Sequence, residues 1–207
     1  MARIGVLALQ GDFGAHVRAI EAAGGDPVEV RRCAGLVGLD GLVLPGGEST
    51  TLLNLMRDEP WFDALRGFHE EGGAIFATCA GAILLSRKVL GPEQPSLGLL
   101  DAVIERNGWG RQVDSFEARL DVPALRGTFE AIFIRAPRFR SLGREVEVLA
   151  RFGDEPVLVR QGRILAMSFH PELTGDQRLH RHFVVLAESR RAALDDGGEG
   201  DSTAVAS

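Results

Sequence analysis

The sequence predicts an α/β protein on a mostly parallel central sheet with antiparallel additions, and three observations carry that prediction. Short apolar runs alternate with stretches of helical periodicity through the first half of the chain, as parallel strands joined by crossover helices require. Beyond Leu97 strand-like runs follow one another with few helices between them, which fits antiparallel hairpins. A last helical stretch closes the chain without any internal repeat or long linker.

The elements follow in order. "RIGVLAL" reads as a first strand, and "GAHVRAIEAAGG" as a helix with Val17, Ile20 and Ala23 at helical spacing, stopping at Gly24 and Gly25. "PVEVRR" and "GLVLPGG" give the second and third strands. "TTLLNLMRDEPWFDALRGFHEEGG" is helical with a break near Pro60, and "AIFATCAG" is the fourth strand. "LLDAVIERN", "VDSFEARLDV", "FEAIFIRAP" and "EVEVLARFGDEPVLVRQGRILAMSFHPE" supply the later strands, and "GDQRLHRHFVVLAESRRAAL" the final helix. The length of 207 residues and the 45% apolar content suit one domain over residues 1–190. Acids, glycines and small polar residues without apolar periodicity mark residues 191–207 as a disordered tail.

Charge and composition exclude several functions. The net charge of −6, with 29 acidic and 23 basic residues spread along the chain, offers no basic stripe for nucleic acid or an anionic membrane. The apolar run Ile4 to Leu9 is too short for a signal-peptide core or a membrane span. The two cysteines, Cys33 and Cys79, stand in unlike contexts and form neither a disulfide framework nor a metal-binding pair, which points to a reducing cytoplasm.

Free cysteine ordinarily behaves as a small core hydrophobe. Cys79 has an unusual address, however: it follows the strand Ala74 to Thr78, Gly81 permits a tight turn, and a helix begins at about Ala82. A strand-to-helix corner of this kind lifts a nucleophile above the sheet, and the following backbone N–H groups face the reacting centre. A helix start also favours thiolate.

The matching base is His170 in "AMSFHPELT". Pro171 drives the preceding residue into extended conformation, where residues i and i+2 share a side, so His170 can meet Glu172. A carboxylate on one ring nitrogen leaves the other free to take a thiol proton. The remaining histidines offer less. His180 and His182 lie two apart on a helix and point to different faces, while His16 and His69 sit in helical stretches without companion ligands, so no metal is assigned.

"LPGGESTT" follows a strand with adjacent glycines, and Ser49 or Thr50 is placed to cap the next helix. Such a loop presents N–H groups to an anion or a developing oxyanion, or serves as a plain connection. It lacks the Gly-Lys-Ser/Thr ending of a phosphate-binding loop. Arg106 and Arg135 are ordinary surface arginines unless the substrate carries a carboxylate.

Together "LALQGDF", "LPGGESTT", "TCAGAILL", "ERNGWGRQVDSF", "FIRAPR" and "SFHPELT" resemble the glutaminase subunits of pyridoxal 5'-phosphate synthase, which are class I (triad) glutamine amidotransferases. The resemblance runs from about Arg3 to Val185, in the family's order. It implies a three-layer α/β/α fold and hydrolysis of L-glutamine to glutamate and ammonia, with no cofactor. Cys79 would attack the side-chain amide, His170 would shuttle protons and Glu172 would orient His170. The backbone of Gly47 and Ala80 would form the oxyanion hole, and Gly47, Glu48, Ser49, Arg106, Ile134 and Arg135 would hold the glutamine.

In this family the ammonia passes to a synthase subunit, which joins it with ribose 5-phosphate and glyceraldehyde 3-phosphate. The resemblance also places Gln10, in "LQGDF", near the mouth of the site, where it would couple that partner to the oxyanion hole. One departure is visible: the family usually has a small residue and then phenylalanine where this chain has Gly108 and Trp109, a larger aromatic that glycine freedom at 108 would accommodate. Two other activities fit the same residues, a free-standing cysteine amidase and a catalytically silent module that binds an amino acid.

Overall fold

The computed structural model describes residues 1–109 and 115–197. The expected alternation is present: β1 (Arg3–Leu7), α1 (Phe13–Ala22), β2 (Asp26–Val30), β3 (Gly41–Leu44), α2 (Ser49–Leu55), α3 (Trp61–Glu70), β4 (Ala74–Thr78) and α4 (Ala80–Leu85). Strands β5 (Ser86–Leu90), β6 (Leu100–Glu105), β7 (Ser115–Val122), β8 (Gly127–Ile134), β9 (Arg138–Leu142), β10 (Glu147–Phe152), β11 (Glu155–Gln161) and β12 (Ile164–Met167) follow, and α5 (Arg178–Gly197) ends the described chain.

Seven strands make the main sheet in the order β10-β11-β12-β4-β3-β1-β2. Those from β2 to β12 pair parallel, while β10, β11 and β12 pair antiparallel. The second half of the chain therefore completes the first half's sheet, because β12 slots in beside β4. Two small sheets lie outside it, β5-β6-β9 and the hairpin β7-β8.

Both faces of the central strands are covered, so their residues are apolar on both sides, as a parallel sheet demands. Leu42, Leu44, Ile75 and Ala77 pack with α2, α3, α4 and β6 residues such as Leu52, Leu65, Leu84 and Ile104. Val43, Ala74 and Phe76 turn the opposite way, into a cluster with Ile20 of α1, Phe129 and Phe133 of β8, and Phe183 and Ala187 of α5. The result is the three-layer arrangement. Fully burying large side chains such as Phe76 and Leu42 stabilises the fold by about 2 kcal/mol apiece.

Three local expectations needed adjustment. Helix α4 begins at Ala80 and lasts six residues, giving way to β5, which the apolar run through Leu85 had masked. Helix α2 is capped by Glu48, whose side chain accepts the Thr50 N–H, and not by Ser49 or Thr50. The last helix continues through Gly197, into the stretch read as tail, and residues 198–207 of that tail lie outside the described residues. Among the described residues no helix is long and apolar enough to cross a membrane.

The Gly108–Trp109 departure is absorbed by packing. Trp109 meets Phe116, Phe133 and Phe152 with ring centroids 5.5, 6.2 and 5.6 Å away, and Arg138 lies over its ring at 5.0 Å. Glycine freedom at 108 is not what accommodates it: the left-handed backbone falls on Asn107, with φ 50°. Residues 110–114 of the same motif lie outside the described residues.

Candidate active site

Parallel α/β sheets bind ligands beyond the carboxyl ends of their strands, beside the point where strand order reverses. Here β1 lies between β2 and β3, and the chain segments beyond β1, β3, β4 and β12 carry Gln10, Gly46 to Ser49, Cys79 and His170 respectively. Four stretches far apart in sequence thus arrive at one sheet edge.

Cys79 sits at the corner between β4 and α4 with φ 47° and ψ −103°, a backbone state that L-residues adopt only under constraint. Its own N–H donates to the Met167 carbonyl at 2.9 Å and its carbonyl accepts from Ile83 at 3.1 Å, which pins both sides of the turn. The sulfur lies 4.0 Å from the Ile134 carbonyl oxygen. Cys33 is a different case: its backbone N–H donates to Glu59 at 2.6 Å, and burial together with Glu59 pushes its thiol up to about 11.

His170 Nδ1 and Glu172 Oε1 are 2.8 Å apart, so the expected pair is made. The backbone reason differs from the simple i, i+2 rule. His170 leaves the helical region without being fully extended (φ −114°, ψ 86°), and Pro171–Leu173 is a 3-10 turn that folds Glu172 back beside the ring. The His170 N–H is held by the Ile132 carbonyl at 2.8 Å.

Burial by itself would lower the His170 pKa, but Cys79 and Glu172 overcome it and raise the imidazole to about 10. That upward shift favours the imidazolium form, the charge a developing thiolate needs. Burial would raise the Glu172 carboxyl, yet His16 and His170 hold it well below the usual carboxylate range.

A group depressed in the native state contributes stability that is complete above its unfolded value, here 4.5, and is lost as pH falls through the native one. The wild-type protein is accordingly expected to lose Tm relative to Glu172→Gln between about pH 5 and pH 3. A Tm difference that stays constant over that interval would contradict the pairing.

Gly47, Glu48, Ser49, Cys79, Arg106, Ile134, Arg135 and His170 line one cleft, joined by Ile83 and Asn107, which the sequence did not single out. Its volume of about 140 Å³ is well below that of drug-sized pockets and suits one small amino acid. Ala80, the other residue the resemblance implies for the oxyanion hole, follows Cys79 as the buried first residue of α4 and is not part of the cleft lining. A larger depression near Arg119 and Arg178 is open and has no nucleophile.

Charges of both signs meet at this cleft. Arg106 donates to Glu48 at 2.8 Å, and that carboxylate also accepts from the Thr50 hydroxyl at 3.0 Å. Burial opposes ionisation of Glu48, but Thr50, Arg106 and Arg135 lower its pKa and keep it charged. Ser49 is buried, its hydroxyl donating to Gln94 at 3.0 Å. Arg135 carries φ 41° and Asn107 φ 50°, so left-handed backbone recurs around the cleft that Cys79 lines.

Gln10 brackets the glycine loop. Its amide nitrogen donates to the Gly46 carbonyl at 3.3 Å and its oxygen accepts from the Glu48 N–H at 3.1 Å. Because a peptide is planar, drawing the Gly46 carbonyl toward Gln10 turns the Gly47 N–H to the opposite edge. Gly47 itself has φ 137°, which favours glycine.

A profile of the SNO glutamine amidotransferase family matches residues 6–189. The chain belongs to this family. It is 59% identical over 186 residues to "Pyridoxal 5'-phosphate synthase subunit PdxT" of Thermus thermophilus, covering 89% of this chain and 97% of the relative. It is 52% identical over 192 residues to the subunit of the same name from Deinococcus radiodurans, covering 90% of this chain and 98% of the relative. A crystal structure described as a glutamine amidotransferase superposes with a TM-score of 0.85 at 57% identity, over 89% of this chain and 98% of the other. A structure described as PurLQS from Thermotoga maritima, 18% identical with a TM-score of 0.66 over 94% of this chain and 100% of the other, shares the fold. Family membership thus agrees with the architecture reached from the sheet order.

Two histidines behind the cleft, set aside in the sequence as helical residues without companion ligands, prove to belong to the site's surroundings. His16 of α1 and His180 of α5 are fully buried and touch each other, and His16 also meets Glu172. Standing 164 positions apart, they leave no local motif. The available signal was His16 one helical turn before Ile20 on the apolar face of α1.

Proposed function

We propose that Cys79, His170 and Glu172 form the triad through which this glutaminase subunit works. The family's activity, hydrolysis of glutamine to supply ammonia for vitamin B6 synthesis, is the activity of this chain. The observation that carries the residue assignment is the strained Cys79 at the end of β4 facing an imidazole whose other nitrogen is held by a buried carboxylate.

The glutamine zwitterion finds complementary charges at the rim. The Glu48 carboxylate takes its ammonium, while Arg106 and Arg135 take its carboxylate. Ser49 and the Ile134 backbone flank the side chain and direct its amide toward Cys79. Cys79 Sγ then attacks the amide carbon, forming a C–S bond, and the oxygen becomes an oxyanion received by the N–H groups of Gly47 and Ala80. His170 gives its proton to the departing nitrogen, the C–N bond breaks, and ammonia leaves a γ-glutamyl thioester. Water attacks the thioester, His170 takes its proton, and glutamate leaves as the thiolate re-forms.

The chain works with a synthase subunit that uses the ammonia, and a hetero-oligomer lets ammonia pass between the two sites without entering solvent. A reducing cytoplasm keeps the Cys79 thiol competent. Gln10 couples the two subunits: a partner segment that engages it reorients the peptide it holds between Gly46 and Gly47. Neither nucleic acid nor a membrane enters this account.

The decisive assay measures ammonia release from glutamine by the purified chain before and after addition of the cognate synthase subunit. Addition is expected to raise turnover about tenfold or more. Gln10→Ala is expected to remove most of that stimulation. Stimulation that survives the substitution unchanged would end the coupling role of Gln10. Full activity without the synthase would favour a free-standing amidase, and glutamine binding without turnover under either condition would favour a silent module.

A further inference from the structure

The triad does not end at Glu172. Its Oε1 meets His170, while Oε2 lies 3.4 Å from Nε2 of His16. The other ring nitrogen of His16 lies 3.2 Å from Nε2 of His180. The Thr78 hydroxyl, one residue before the nucleophile, is 3.4 Å from His16 Nε2. All of these groups are buried, the His16 and Glu172 side chains 0% and 1% exposed.

We infer that His16, backed by His180, is a positioning residue that fixes the Glu172 carboxylate and, through it, the imidazole of His170.

A carboxylate taken out of water must have both oxygens satisfied, and one histidine serves one oxygen only. For the second oxygen the group on hand is His16, whose Nε2 approaches Oε2 to 3.4 Å in an ion-pair contact short of a hydrogen bond; Oε2 has no hydrogen-bond partner among the described residues. Burial pushes the His180 pKa down to about 3, so that ring is neutral. A neutral His180 can donate from Nε2 to Nδ1 of His16, and Nε2 of His16 faces Thr78 Oγ1 and Glu172 Oε2, each at 3.4 Å. His180 Nδ1 has no hydrogen-bond partner among the described residues, and a bare lone pair there costs less than an orphaned N–H, so the ring's proton belongs on Nε2.

An apolar pair would fill the same space between α1, β4 and α5 at lower desolvation cost. The rings already pack as hydrophobes do, Phe76 lying 6.0 Å from His16 and 5.0 Å from His180 between centroids. Two imidazoles in an apolar layer are accounted for by the carboxylate they serve. The groups facing His16 are Glu172 from the turn after β12, His180 from α5, and Thr78 and Phe76 from β4.

The inference rests on the triad assignment, so the test is run on the complex with the synthase subunit, with Cys79→Ala as the separate check on that assignment. His16→Leu is expected to lower kcat about 10- to 100-fold. The KM for glutamine is expected to stay within about twofold, because His16 does not touch the substrate cleft. His16→Gln restores an amide donor near the Nε2 position and is expected to recover kcat to within about fivefold of wild type. The pH midpoint for alkylation of Cys79 by iodoacetamide is expected to rise by about one unit in His16→Leu and to stay in place in His16→Gln.

Wild-type kcat and alkylation midpoint in His16→Leu would overturn the inference. So would equal losses in both variants when near-UV circular dichroism shows both folded. If His16→Leu does not fold, His180→Phe keeps a ring against Phe76 and removes the outer donor. It is expected to lower kcat several-fold with the same upward midpoint shift, and wild-type values there would also overturn the inference.

Discussion

Cys79→Ala is expected to abolish glutamine turnover, by about 10⁴-fold or more, while the circular dichroism spectrum and glutamine binding persist. The side chain is small and lies at a corner whose backbone bonds, from Cys79 N–H to Met167 and from Ile83 N–H to the Cys79 carbonyl, do not involve the sulfur. Removing the sulfur therefore leaves the turn standing and takes away the atom that forms the thioester. Cys33→Ala provides the contrast. That thiol is held protonated by burial and Glu59, away from the cleft, and turnover is expected within about twofold of wild type. Steady-state ammonia release by both variants, with the synthase subunit present, decides the matter. Substantial turnover by Cys79→Ala would remove the nucleophile from the account.

How much of this was legible beforehand depended on whether the relevant forces act locally. Strand-to-helix corners are local, so Cys79 between an apolar strand and an apolar helix start could be placed from twelve letters of sequence. His170 and Glu172 were also readable as a pair, because Pro171 constrains the chain between them. The manner of pairing was not, since it depends on the 3-10 turn and on the Ile132 carbonyl that holds the His170 N–H. The cap of α2 went to Glu48 because that carboxylate is steadied by Arg106 from 58 residues away, a tertiary preference that intrinsic capping tendencies do not contain. His16 and His180 were hidden most completely. Each is unremarkable on its own helix, and only the packing of α1 and α5 against β4 creates the buried carboxylate they answer.

The sheet repeats the same lesson at larger scale. Hydrophobic periodicity identified β1, β3 and β4 because both their faces are buried, and it identified the later strands as strands. It carried no information on which neighbour β12 would choose. Its place next to β4 is set by register, Met167 opposite Thr78, and this register carries His170 to the side of Cys79. Catalytic geometry in this fold is thus a consequence of one parallel pairing between segments almost ninety residues apart, which no local pattern encodes.

Gly46→Ala tests that geometry without removing any reacting group, and is expected to lower kcat about 100-fold or more. A methyl group on Gly46 would stand 2.3 Å from Cε1 of His170, 2.9 Å from its Nδ1 and 3.3 Å from Cβ of Cys79. The first two distances are far inside van der Waals contact, so the imidazole must move. It has little freedom to do so while Glu172 holds its Nδ1 and the Ile132 carbonyl holds its backbone. Either the ring tilts away from the sulfur or the glycine loop retreats and carries Gly47 with it, and each displacement is of the order of 1 Å, enough to cost about two orders of magnitude in rate. The fold should survive, because overpacking of this size costs about 1–3 kcal/mol and the loop lies at the sheet's edge. Iodoacetamide alkylation of Cys79 separates the two routes. A slower reaction at pH 7 marks displacement of His170 from the thiolate, whereas an unchanged alkylation rate with depressed kcat marks loss of the oxyanion donor at Gly47. Turnover within about threefold of wild type would mean that the close approach of Gly46 to His170 does not constrain catalysis.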